Sequence, residues 1–105
     1  LDSLKVNIMR NKDVVTAFIE QSTAASLNLC SEGRKLYSYN TCIAQWYNTS
    51  IIFNTSHYSN TTNHHQDLLR REVGTKFPIV EVNGVPRDTK DLKFFILNYN
   101  NKYDV

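Results

Sequence analysis

The stretch from 36 to 69, LYSYNTCIAQWYNTSIIFNTSHYSNTTNHHQDLL, constrains this chain more than any other. Aromatic and β-branched residues fall in three short runs, at 36–39, 42–47 and 51–53, separated by Asn, Thr and Ser. Such runs between turn residues predict a meander of short antiparallel strands. Side chains alternate across a strand, so Tyr37 and Tyr39 are expected on one face and Leu36 and Ser38 on the other. The meander then feeds a polar helix start. Ser59, Thr61 and Thr62 are all good N-caps, and Gln66 lies where a capping box reaches back. The helix is predicted from about 63 to 73 with a stop at Gly74, and Leu68, Leu69 and Val73 form its buried stripe. His65 falls on that buried side, whereas His64, Asp67 and Arg71 point elsewhere.

The flanks read as packing for this unit. Residues 4–8 alternate apolar and polar, a short strand or extended arm. Asn11 offers an N-cap with Asp13 in the first turn, and Val14, Val15, Phe18, Ile19, Ser22 and Ala25 recur at helical spacing over 13–25. An edge strand at 27–30 turns through 31–34, where Gly33 supplies a positive φ. Residues 77–82 read as a strand with Pro78 near its start, followed by an Asn83-Gly84 turn. Asp88 then caps a last helix with Leu92, Phe95, Ile96 and Tyr99 as its stripe, and 100–105 is a frayed tail. The expected fold class is therefore α+β, a single domain over 1–105 in the rough order β-α-β-β-β-α-β-α. Three to five short antiparallel strands carry helices packed mainly on one face.

Composition narrows the function classes. A net charge of +2 does not demand a nucleic-acid partner and is too balanced for a membrane-surface anchor, though it leaves room for a locally basic face. No apolar run approaches the ~18 residues of a membrane span, and the N-terminal LDSLKVNIMR lacks the order of a signal peptide, so the cytoplasm is the expected compartment. Cys30 and Cys42 fall on separate predicted strands, which makes a disulfide conceivable; reduced, part-buried thiols are the commoner outcome. Adjacent helical histidines diverge by about 100°, so His64 and His65 do not chelate one metal together, and no acidic or cysteine cluster joins His57 to complete a site. No P-loop, dinucleotide fingerprint, paired carboxylates or activated nucleophile accompanies them, so no cofactor and no enzymatic activity are assigned. The three Asn-x-Ser/Thr matches at Asn48, Asn54 and Asn60 are expected by chance in a chain this rich in Asn, Thr and Ser.

Leu36-Tyr37-Ser38-Tyr39 with Ile43-Ala44, then Tyr58-Ser59, Thr61-Thr62 and His65-Gln66, resembles a pattern in small uncharacterised proteins of tailed phages and mobile elements. That pattern runs Tyr-Ser-Tyr, Ile-Ala, Tyr-Ser-x-Thr-Thr-Ser-Lys-His-Gln, and the likeness covers about 11–73. Asn63-His64 stands where the pattern has Ser-Lys, so its lysine has no counterpart here. The resemblance implies a phage or prophage origin, the cytoplasm of an infected bacterium, and a shared fold; it implies no activity. A second, local likeness joins Gly74 to Gly84, with Asp91-Leu92, to the C-terminal half of a glutaredoxin. Redox work needs a thiolate in a motif such as C-x-x-C at a helix start, which neither cysteine has, so the likeness reads as a shared turn.

The sharpest candidate for chemistry is the helix start at 59–66. Unpaired N–H groups and a partial positive charge there favour phosphate, with Thr61, Thr62, His64 and His65 at hand and Lys35, Arg70 and Arg71 on nearby surfaces. The bland reading is that Thr61 or Thr62 merely caps the helix and that His65 is a core histidine. Tyr37, Tyr39, Trp46, Tyr47 and Tyr58 can stack on bases if several share an exposed face. The helix–three strands–helix order is that of the double-stranded-RNA-binding fold, an analogy of element order alone. Two function classes follow: a small phage-encoded nucleic-acid-binding module, or a phage effector that binds and inhibits a host or defence protein through the sheet face or the last helix. The sequence leaves the oligomeric state open.

Overall fold

The computed structural model describes residues 9–96, which form a six-stranded sheet in the order β1-β2-β3-β4-β5-β6. The strands are β1 (Ala24–Ala25), β2 (Leu29–Glu32), β3 (Lys35–Ser38), β4 (Thr41–Tyr47), β5 (Ser50–Asn54) and β6 (Ile79–Val82). Helix α1 (Asn11–Ile19) precedes the meander, and α2 (Asn60–Val73) joins β5 to β6. The expected α+β class holds. The strand expected at 4–8, and Tyr99 of the last helix, lie outside the described residues.

Strands β1 to β5 are antiparallel neighbours, but β6 runs parallel to β5 with Ile51 opposite Ile79 and Asn54 opposite Val82. A helix that crosses the sheet before the chain re-enters it makes this parallel pairing possible. Nothing in the strand patterning distinguishes such a strand from one more turn of the meander. At the expected Asn83-Gly84 turn the chain bends, with Gly84 at φ 69° and its amide donating to Asn83 Oδ1 at 2.7 Å, and passes to the opposite sheet face.

Three two-residue turns hold the meander, and each opens on a residue in the left-handed region: Gly33 (φ 62°), Tyr39 (φ 56°) and Asn48 (φ 56°). Positive φ at this place matches the right-handed twist of the paired strands. Asparagine tolerates it; tyrosine does so at a cost of about 1–2 kcal/mol. Tyr39 therefore belongs to the turn, and the alternation expected to place it beside Tyr37 stops at Ser38.

Helix α1 ends earlier than its apolar spacing predicts. Gln21 adopts φ 59°, and both the amide and the hydroxyl of Ser22 donate to Ala17 O, at 2.8 and 3.1 Å. This local closure satisfies the last carbonyls and frees 24–25 to begin the sheet. Asn11, expected as the N-cap, is the first helical residue; Arg10 precedes it with no side-chain cap. Helix α2 starts at Asn60, three residues before the expected position, and stops at Gly74 (φ 54°) as its sequence predicts. Its cap is Ser59, whose hydroxyl accepts from the Thr62 amide at 3.2 Å. Gln66 is a full turn too far to complete a capping box with Ser59; it donates instead to Asn54 O (2.7 Å) and Ser56 O (3.0 Å), fastening the loop before the helix.

The main core lies between α1, α2 and one sheet face: Val14, Val15 and Phe18 from α1, Leu69 and Val73 from α2, and Leu36, Ile43, Trp46, Ile51 and Phe53 from the strands. A bulge opposite Leu36 and Tyr37 pairs them with Ala44 and Cys42, leaving Ile43 as the extra residue. Both Ile43 and Ala44 thereby reach this core, which explains why alternation fails in β4. Trp46, considered above as a stacking residue, is buried here; its indole N–H donates to Phe18 O at 2.9 Å and its ring meets Phe77 edge-on at 5.1 Å. The other sheet face is covered by the returning chain, with Cys42, Ile52, Val82, Val85, Leu92 and Ile96 in a second, smaller core. A helical segment begins at 93. Asp91 caps it in place of the expected Asp88, accepting from the Lys93 amide (3.0 Å) and the Gln45 side chain (2.9 Å). The Gln45 bond, more than any other cause, holds the Asp91 carboxyl below the usual carboxylate range.

Candidate functional site

The helix start and the end of β3 meet in a chain of buried hydrogen bonds. Ser38 Oγ lies 2.6 Å from His65 Nδ1 and 2.9 Å from Thr62 Oγ1, and Ser59 Oγ reaches Thr62 Oγ1 at 3.2 Å. On the far side of the ring, Asn11 Nδ2 approaches His65 Nε2 at 3.4 Å, while Ser26 donates to Asn11 Oδ1 at 2.5 Å. That last bond orients the Asn11 amide, so its N–H₂ faces the ring. Nε2 is then the acceptor, Nδ1 carries the proton and donates to Ser38, and the Ser38 hydroxyl donates to Thr62 Oγ1. One histidine thus ties α1, α2 and β3 together. Ser38, Thr62 and His65 are all buried, and burial pushes the His65 pKa below its ordinary value, with the nearby His64 adding a smaller push the same way.

Serine, histidine and asparagine in this order look like a nucleophile, its base and an orienting group. Ser38 has no exposed surface, however, and is enclosed by groups that use its hydroxyl structurally. The arrangement is a fastening. His65 is the core histidine of the bland reading, and Thr62 is a buried member of the network, not the cap. His64 is exposed on the next face of the helix, and His57 bonds Asn63 across the loop at 2.9 Å. Among the described residues no three His, Cys, Asp or Glu side chains gather as a metal ion requires.

Directly outside this network lies an open cavity of about 340 Å³, walled by Tyr39, Thr41, Tyr58, Ser59, Thr61, Thr62 and Arg87. Each wall has a local cause. Tyr39 is thrown outward by its left-handed turn and stands 6.5 Å from the His65 ring, still 53% exposed. Tyr58 is held by its hydroxyl, which accepts from Asn54 Nδ2 at 2.8 Å and donates to Val85 O. Arg87 arrives on the chain segment that passes behind the sheet. Sequence reasoning missed Arg87, because only the 3D course of 85–92 brings it here; its basic side chain in a Pro-Arg-Asp turn carries no periodic signal.

The remaining candidates disperse. Arg70 and Arg71 occupy the last turn of α2, about 14 Å along the helix from Thr61 at 1.5 Å per residue. Arg70 pairs with Glu81 at 2.9 Å and lies 5.4 Å over the Phe53 ring. Lys35 sits at the other end of β3 from Ser38 and donates to Lys90 O at 2.6 Å. Neither arginine nor Lys35 joins the helix start in one phosphate site, since the helix length and the strand length separate them. Tyr37 is half-buried on the face away from α1 and α2, with the Lys90 ammonium 5.8 Å from its ring centre. It also stands between Cys30 on β2 and Cys42 on β4, pairing with both across the strands. Two strand spacings, roughly 10 Å, exceed the reach of a disulfide, and both thiols are free. Burial pushes the Cys42 thiol up to about 11.

These features define a small α+β domain: a five-stranded meander roofed by two helices, extended by one parallel strand. The chain belongs to a family of unknown function, DUF8033, whose model matches residues 5–77. The match covers α1, the meander and α2 and ends before β6. No curated protein and no solved structure matches the chain. Among the described residues no helix is long and apolar enough to cross a membrane.

Proposed function

We propose that the protein is a non-catalytic module that binds nucleic acid at the cavity beside the start of α2. The observation that carries this reading is the convergence there of exposed Tyr39, half-buried Tyr58 and Arg87 on the first turn of a 14-residue helix. Ser59 occupies the amides of Thr62 and Asn63, so among the described residues the amide and hydroxyl of Thr61 remain available in the cavity wall. A phosphate placed between them and Arg87 meets both a dipole and a full charge, and Tyr39 offers a base its ring face. The reading fits the phage origin and bacterial cytoplasm implied by the resemblance, without depending on either.

Salt titration of binding to short single- and double-stranded DNA and RNA tests it. Binding should weaken steeply with salt, and Arg87→Ala should reduce the slope by about one unit. Arg71→Ala, at the far end of α2, should change it less. Absence of binding at low salt overturns the proposal.

One observation favours the second reading, an effector acting on a host or defence protein. Phe94 on the last helical segment is 61% exposed, stacked edge-on against Phe95. In that case Phe94→Asp abolishes capture of one defined host protein, and Arg87→Ala leaves it intact.

A further inference from the structure

We infer that the binding track continues over Tyr39 into a second cavity and accepts two successive nucleotides of a single strand. This rests on the nucleic-acid reading above and goes beyond it in ligand class and length. Tyr39 walls two cavities, the one at the α2 start and another of about 340 Å³ on the opposite side of the β3–β4 turn. Each is at the small end of the range for ligand sites, about 300–1,000 Å³, and suits a nucleotide-sized group.

The two cavities are built alike. Arg87 stands at the first and Lys90 at the second, three residues apart on the same segment. The Lys90 ammonium is held in place by Asn40 O at 3.3 Å and the Tyr37 ring at 5.8 Å. Each cavity also has a half-buried tyrosine in its wall, Tyr58 in the first and Tyr37 in the second. Tyr39 rises between them in a backbone conformation that tyrosine adopts only at a cost. A bulky ring in a strained turn between two cavities, each with its own cation, is what a wedge between two unpaired bases requires. Bases in a duplex are already stacked and offer no free face to it. Glu32 also lines the second cavity, and its charge opposes a phosphate there.

Competition binding with single strands of one to six thymidylates or uridylates tests the track. Affinity should rise about tenfold or more from one nucleotide to two, the value of an added stacked base and phosphate, and then level off. A blunt duplex should not compete. Lys90→Ala should lower the salt slope by about 0.7, the single-strand value for one phosphate, and Glu32→Gln should tighten binding. Tyr39→Ala and Tyr39→Gly should each lose about tenfold while Tyr39→Trp retains affinity; the glycine variant suits the turn, so its folding is secure. Equal affinity for one and two nucleotides, a competing duplex, or an unchanged Lys90→Ala slope overturns the two-nucleotide track and leaves the first cavity standing. No binding by any strand overturns both.

Discussion

Removing the Ser38 hydroxyl tests whether the buried network holds the two helices to the sheet. Ser38 Oγ serves His65 at 2.6 Å and Thr62 at 2.9 Å in a position with no solvent access. In Ser38→Ala, Thr62 keeps Ser59 as a partner, but the His65 Nδ1 proton is orphaned. One buried unsatisfied donor costs about 1–3 kcal/mol, and the shortened network puts the expected loss near 2–3 kcal/mol. For a domain of this size that lowers the melting temperature by roughly 10–20 °C. The same network predicts a pH dependence. His65 binds protons less readily folded than unfolded, so stability is fully present above about pH 6.5 and falls as the pH drops below it. The slope reaches at most about 1.4 kcal/mol per pH unit. Chemical denaturation of wild type, Ser38→Ala and His65→Gln between pH 5 and 8 reads both effects, because the difference between wild-type and His65→Gln profiles isolates this ring. A Ser38→Ala loss below about 0.5 kcal/mol, or superimposable profiles, would refute the network's role.

Three further outcomes follow from single contacts. Cys42, buried with its thiol raised to about 11, should resist alkylation until the protein unfolds, whereas half-buried Cys30 reacts earlier; mass spectrometry of pulse-labelled samples along a urea series distinguishes them, and mild oxidation should yield no intramolecular bridge. Gly74→Ala should cost about 1–3 kcal/mol despite ample room, because φ 54° and ψ −127° are poorly accessible to alanine; equilibrium unfolding measures it. Trp46→Phe should lose about 2 kcal/mol with its indole bond to Phe18 O, and a variant as stable as wild type would show that this bond is dispensable.

How much was legible depended on the range of the forces involved. Short-range signals read well: the turn residues delimit the meander, Gly74 stops α2, and of the expected stripe Leu69 and Val73 are buried with His65 on the same side, while Leu68 is only half-buried. Local competition blurred the edges. Ser22 closing on Ala17 truncated α1, and the bulge at Ile43 broke the alternation of β4. The resemblance to phage proteins rested on Tyr-Ser-Tyr, Thr-Thr and His-Gln, and four of those residues, Ser38, Thr62, His65 and Gln66, are fastenings of the fold. Their chemistry suggested a ligand; their burial assigns them to structure.

The sequence by itself determined the fold class, the strand meander, the two long helices and the residue types at the start of α2, because these follow from side-chain period, turn chemistry and capping over a few neighbouring positions. Only the tertiary structure decided that β6 pairs in parallel, that Tyr39 leaves its strand, that Arg70, Arg71 and Lys35 lie apart, and that Arg87 and Lys90 flank Tyr39. Those outcomes depend on where a helical crossover and a returning segment land on the sheet. That placement is set by burying two apolar faces at once, a property of the whole chain and of no single stretch within it.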